Sequence, residues 1–239
     1  MSRKKLIAIG CSYTEHYKED PRSPGVDFNF SRWPQILADK LDMDCVNLGR
    51  CGMGNEYISA KLIDTVLAEK KEDIGLVVLM WSGWLRIDFQ DIKGEWIGKF
   101  SLIRHNPDKY FDFWGVGGVD NYEYNMTMKS LRHFLIAQML LNDIPYLMIQ
   151  GVWTAFDWSH QQMAKTFINS KIFYEIDEDK FIGWPILQEI GGYNVNTILN
   201  KFDPERNQLR ISDEDRHPND EGHKILAREI YDAYEKIYT

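Results

Sequence analysis

At 239 residues, with 44% hydrophobic and 27% charged positions, the chain has the composition of a soluble globular protein with room for one sizeable core. A net charge of -8 without a Lys/Arg cluster speaks against a nucleic-acid partner. The longest apolar runs are far too short for a bilayer, which leaves no membrane role to expect. The N-terminal Met-Ser-Arg-Lys-Lys runs straight into a strand-like segment without a secretory signal pattern, so a cytoplasmic location is expected. Cys11, Cys45 and Cys51 lack metal-ligand spacing and are odd in number, consistent with a reducing compartment.

In chain order, short branched apolar runs predict strands at 6–9, 45–48, 76–81 and 146–150. Helical periodicity appears between them at 33–41, 57–67 and 126–141, and a last helix covers 220–238. This alternation predicts a single domain, 1–239, with a parallel sheet covered by helices on both faces. Two stretches interrupt the rhythm, 82–122 and 152–208, each after a strand's C-terminal end, the ligand-binding edge of such sheets. They carry Trp84, Trp96, Trp114, Trp153, Trp158 and Trp184, which read either as a substrate wall or as a satellite core beneath long loops.

Three constellations carry chemistry. Gly10-Cys11-Ser12-Tyr13-Thr14 follows the first strand, where a serine hydroxyl can be exposed at the active edge, although Ser12 alone also reads as a turn residue. Asn47-Leu48-Gly49-Arg50-Cys51-Gly52-Met53-Gly54-Asn55 follows the second strand. Its three glycines let backbone N–H groups approach a ligand, or simply make a tight turn, and they do not match the dinucleotide fingerprint. Asp213-Glu214-Asp215-Arg216-His217-Pro218-Asn219 opens the final helix. A carboxylate just upstream of a histidine can fix its tautomer for general-base work, while the same acidic run also complements a helix dipole.

Taken together and in order, Gly-x-Ser, Asn-x-Gly-x-x-Gly and Asp-x-His-Pro-Asn resemble the SGNH (GDSL-like) hydrolase superfamily, and more narrowly the GDSL-like proteins encoded by phages. For a phage-encoded member the virion is a second location. The likeness is close over the first 60 and last 35 residues or so. It implies a flavodoxin-like three-layer α/β sandwich, Ser12 as nucleophile with Cys11 in place of the usual Asp, His217 as base, and the Ser12 and Gly52 amides in an oxyanion hole. The histidine's partner is Glu214 by the commoner Asp-x-x-His spacing or Asp215 by the shorter form, and Asp215 is preferred because that form reads through unsubstituted.

One departure stands out. After the third strand the family carries Gly-x-Asn-Asp, whose Asn donates to the oxyanion, whereas this chain reads Met80-Trp81-Ser82-Gly83-Trp84-Leu85-Arg86. Loss of such a donor costs on the order of 100- to 1000-fold in rate. Ser82, next to the strand, is the first candidate to replace it, with Asn55, Trp84 and Arg86 as substrate-pocket candidates. The expected activity is hydrolysis of a small ester or an O-acetylated carbohydrate through an acyl-enzyme, without metal or organic cofactor. The rival expectations are an impaired module of the same fold that binds a glycan or partner protein, and a phosphate or flavin binder using the Ser12 loop.

Overall fold

The computed structural model describes residues 3–16, 25–99, 119–151 and 160–239; Trp114, Trp153 and Trp158 lie outside them. In chain order the elements are β1 (Lys5–Gly10), α1 (Trp33–Lys40), β2 (Asp44–Asn47), α2 (Asn55–Ala68), β3 (Ile74–Trp81), β4 (Ile87–Gln90) and β5 (Trp96–Lys99). There follow α3 (Val119–Leu140), β6 (Tyr146–Gln150), α4 (His160–Asn169), β7 (Phe181–Ile182), α5 (Val195–Phe202) and α6 (Asp220–Tyr238). Five strands form a parallel sheet in the order β2-β1-β3-β6-β7, and β4 and β5 form a separate antiparallel hairpin.

The central strands are apolar throughout because both of their faces are covered. All eight residues of β3 are buried. Alternate side chains serve opposite faces. Ile7, Ile9, Val77, Leu79 and Met148 meet Ile58 and Leu62 of α2 and Leu131 and Phe134 of α3. Leu6, Ala8, Leu76, Val78, Leu147 and Ile149 meet Trp33 and Leu37 of α1, Ile198 and Leu199 of α5, and Leu226 and Ile230 of α6. The result is the three-layer α/β arrangement expected from the alternation. Among the described residues, no helix is long and apolar enough to cross a membrane.

The interruptions carry structure of their own. The first holds the β4–β5 hairpin and the second α4, β7 and α5. Helix α3 starts at Val119, seven residues before the expected start at 126, because its opening turns are polar in sequence yet bury Tyr122 and Glu123. The tryptophans described within these stretches extend the core. Trp84 is fully buried against Phe134 and Phe167, Trp184 stacks on Phe173 at 5.1 Å, and Trp96 meets Tyr57 edge-on.

What this fold does for the site is alignment. Gly10 pairs with Met80, and Trp81 with Gln150, so β1, β3 and β6 end along one line. The segments leaving those ends share one edge of the sheet.

Candidate functional site

Ser12 lies in the turn that follows β1, closed by the Thr14 and Glu15 amides donating to Cys11 O at 2.9 and 3.0 Å. The turn is tied to its surroundings: Trp33 Nε1 donates to Tyr13 O at 3.0 Å, and Asn47 Nδ2 to Thr14 O at 2.6 Å. Ser12 itself is buried, 5% exposed, at the end of the sheet where β1 stops.

His217 Nε2 stands 2.7 Å from Ser12 Oγ. Its Nδ1 bonds Asp215 Oδ1, and its backbone N–H donates to the same oxygen at 3.1 Å. Asp215 is 3% exposed, and its own amide donates to Ser212 Oγ at 3.0 Å. Glu214, the alternative by spacing, turns to the solvent side and accepts from the Ser212 hydroxyl at 3.1 Å. The Tyr13 ring meets the imidazole edge-on, with centroids 5.1 Å apart, and its hydroxyl donates to Arg216 O. Burial pushes the Tyr13 phenol well above its ordinary value, so it stays a neutral donor across the working pH range.

Sequence reasoning missed how the His217 segment is held. Asp203, 1% exposed, accepts from the amides of Asn207, Gln208 and Leu209 and faces Arg210 Nη1 at 3.7 Å. That folded loop offers its backbone to the histidine segment: Ile211 N–H donates to His217 O, and Asn219 Nδ2 donates to the carbonyls of Gln208 and Arg210. Asn219 Oδ1 meanwhile caps α6 through Gly222 N–H at 3.0 Å. An Asp-Pro turn signal at Asp203-Pro204 was available in the sequence, but the pairing of its loop with His217 and Asn219 was not.

The second glycine-rich segment runs beside the Ser12 turn. Leu48 and Arg50 amides donate to Ala8 O and Gly10 O, and Cys51 N–H to Glu15 Oε2. Gly52 has φ +78°, a left-handed conformation that favours glycine. After it the chain enters α2, whose cap position, Gly54, has no side chain. The cap is supplied instead by Asp88 of β4, which accepts from Tyr57 N–H at 2.6 Å. Burial raises the Asp88 carboxyl to about 6, against the lowering effect of the Tyr57 amide.

The remaining candidates are engaged inside the fold. The Ser82 hydroxyl, expected as the third oxyanion donor, gives its proton to Met53 O at 2.7 Å. Asn55 binds Ser82 N–H through Oδ1 and Ser130 Oγ through Nδ2. The Trp84 indole, expected to line a substrate pocket, is 1% exposed and donates to Gln150 Oε1 at 3.0 Å. Arg86 is partly exposed, with Nη1 on Met53 O and Ser82 Oγ. Ser82, Asn55 and Trp84 are buried, and buried polar groups find partners. Among the described residues no group of three or more His, Cys, Asp or Glu is placed to hold a metal ion.

Chemically, a serine hydroxyl bonded to an imidazole whose other nitrogen faces a buried carboxylate is an arrangement that can activate the hydroxyl as a nucleophile.

No family model matches the sequence, and no curated protein does. Solved structures do. A lipolytic-type protein of the G-D-S-L family from Desulfitobacterium hafniense superposes with a TM-score of 0.50 at 16% identity, over 96% of this chain and 99% of that one. The esterase EstA from Pseudoalteromonas gives 0.49 at 14% identity, over 98% and 97%. A member of the lipolytic G-D-S-L family from Veillonella parvula gives 0.47 at 16%, over 98% and 100%. The chain shares the α/β fold of the SGNH/GDSL-type hydrolases.

Proposed function

We propose that the protein is a serine esterase of the SGNH type, acting on a small ester or an O-acetylated carbohydrate. The observation that carries the reading is the continuous Ser12 Oγ–His217–Asp215 array, with 2.7 Å between hydroxyl and imidazole. In the first half-reaction Ser12 Oγ adds to the ester carbonyl as its proton passes to His217 Nε2. His217 then returns that proton to the departing alcohol oxygen, leaving an acyl group on Ser12. In the second half, water adds to the acyl carbon while His217 takes its proton. Collapse breaks the bond from Ser12 Oγ to the acyl carbon as His217 returns the proton to that oxygen, which releases the carboxylic acid and restores the serine.

Asp215 holds the imidazole with Nε2 toward the serine and offsets the positive charge that forms on it. The negative oxygen of each tetrahedral intermediate is assigned to the Ser12 and Gly52 amides, on the adjacent turns after β1 and β2. No metal or organic cofactor enters these steps.

The test is covalent labelling by a fluorophosphonate together with turnover of p-nitrophenyl acetate and of acetylated sugars. The parent is expected to be labelled at Ser12 and to hydrolyse at least one of these esters, and Ser12→Ala to do neither. A parent that is neither labelled nor active would sink the esterase reading and favour a binding module built on the same fold.

A further inference from the structure

The segment that follows β3 lacks the asparagine of the resembled family, yet its polar groups are not idle. They converge on one backbone oxygen. Met53 O accepts from Ser82 Oγ at 2.7 Å and from Arg86 Nη1 at 3.0 Å, while the same Nη1 donates to Ser82 Oγ at 2.7 Å. Ser82 is fixed in turn by its own amide, which donates to Asn55 Oδ1 at 2.8 Å. A carbonyl that receives two donors, one of them charged, is held more firmly than one with a single neutral partner.

The neighbouring peptides are confined as well. A Cβ placed on Gly54 would fall 2.2 Å from Asp88 Oδ1 and 2.9 Å from Arg86 Cβ, so the backbone at 54 lies directly on the segment that carries the clamp. A Cβ on Gly98 would fall 2.6 Å from Gly52 O, so β5 backs the loop two residues earlier. Residues 52–54 are thus gripped by the post-β3 segment and the β4–β5 hairpin, and the two residues before them are bonded beside the Ser12 turn, Arg50 N–H to Gly10 O and Cys51 N–H to Glu15 Oε2.

We propose that Ser82 and Arg86 are positioning residues whose clamp on the Met53 carbonyl fixes the Gly52 amide toward the oxyanion, replacing the missing donor with rigidity of the loop that carries an existing one. This rests on the esterase reading for its catalytic meaning. Preorganisation is what gives an oxyanion donor its value, because a donor already aimed at the developing charge needs no reorganisation when the charge appears. A loop free to rotate its peptides would surrender part of that value even with the Gly52 N–H intact.

The experiment compares the parent with Ser82→Ala, Arg86→Met, Arg86→Lys and the Ser82→Ala/Arg86→Met double variant. It reads kcat and KM on a small acetyl ester and, by NMR, hydrogen exchange at the amides of residues 52–54. The clamp predicts a kcat reduced about 10- to 100-fold in each alanine or methionine variant, somewhat below the loss of a direct donor. KM stays within about twofold, and Arg86→Lys recovers part of the loss. The double variant is no more than about twofold worse than the worse single, since both act through one carbonyl. Exchange at 52–54 accelerates while the later turns of α2 keep their parental rates.

A raised KM with unchanged kcat would make Arg86 a substrate-binding group and overturn the proposal. So would additive losses with unchanged exchange, which would place Arg86 on the oxyanion itself. Should Arg86→Met fail to fold, Ser82→Ala, which removes a single hydroxyl, decides by the same readouts. If the parent is neither active nor labelled at Ser12, the esterase reading has failed separately. The exchange arm still judges the clamp: acceleration at 52–54 supports it, and unchanged exchange overturns it.

Discussion

Replacing Asp88 by asparagine isolates the electrostatics of the helix that carries the proposed oxyanion loop. Asp88 is 6% exposed and sits at the N-terminus of α2, accepting from Tyr57 N–H. Two effects oppose each other there. A carboxylate at a helix N-terminus gains about 0.3–1 kcal/mol from the dipole, and burial penalises the charge. Burial wins, aided by the nearby Glu56 and opposed by the Tyr57 amide and Lys129, and the carboxyl titrates at about 6 instead of 3.8.

Because the folded value lies above the unfolded one, the native state holds this proton more tightly. Its contribution to stability is therefore complete below about pH 4 and is lost as pH rises through about 6. Two units at about 1.4 kcal/mol each make this roughly 3 kcal/mol. Asparagine can still accept from Tyr57 N–H and does not titrate, so any packing penalty it brings is a constant offset. Urea unfolding of parent and Asp88→Asn from pH 4 to 8 should show the variant gaining on the parent by a few kcal/mol as pH rises, with the difference level above about pH 7. Parallel profiles would refute the reasoning by showing that the two effects cancel, and a variant that loses ground with rising pH would refute it by showing that the helix terminus outweighs burial.

Other perturbations test other parts of the molecule. Asp215→Asn should lower kcat by roughly a thousandfold or more by releasing the tautomer and charge of the imidazole, while Glu214→Gln, whose partner is the surface Ser212 hydroxyl, should stay within about twofold. The reverse ranking would mark the Asp-x-x-His spacing as the working one. Asn219→Ala should cost about 1–2 kcal/mol in urea unfolding by removing the α6 cap and should also depress turnover, since the same side chain holds the backbone beside His217. Gly183→Ala and Gly191→Ala both impose a side chain at positive φ, at +83° and +89°. Only the former places its Cβ 2.2 Å from a backbone oxygen, that of Tyr193, so its Tm should fall well below that of Gly191→Ala. Equal losses would show that backbone strain alone governs both.

The legible part of the fold was the part buried on both faces. β1, β3 and β6 announce themselves as unbroken apolar runs because helices cover them above and below. β7, two residues long, has no room for a pattern, and the polar first turns of α3 hide a helix whose buried face there is made of Tyr122 and Glu123. The hairpin's local traces, the alternation of Ile87-Asp88-Phe89-Gln90 and the turn glycine Gly94, are too short to stand out against the longer runs around them.

At the site, Ser12, Gly52, Asp215 and His217 stand out because each belongs to a motif read within a few residues. The placement of Ser82, Asn55, Trp84 and Arg86 near the same edge was also readable, whereas their partners were not. Which donor satisfies which buried acceptor is settled by contacts between elements distant in sequence, such as Asn55 with Ser130 or Trp84 with Gln150. A side chain already spent inside the protein looks the same in sequence as one waiting for a ligand.

The distance along the chain between the Ser12 hydroxyl and the His217 imidazole bears on what a loss of reactivity at Ser12 would mean. Ser12 and His217 lie 205 positions apart, and the histidine arrives on the stretch that leads into α6, whose hold on the body runs through Leu226, Ala227 and Ile230 against Trp33, Leu37 and Ala38. The sheet itself closes without α6 through hydrogen bonds among β1, β2, β3, β6 and β7. Undocking of this one helix would separate His217 from Ser12 while leaving most of the secondary structure intact, a local opening of the kind that precedes global unfolding. Labelling of Ser12 during mild heating or low denaturant would then fade before the circular dichroism signal does, and reactivity would serve as a gauge of the C-terminal helix rather than of the whole molecule.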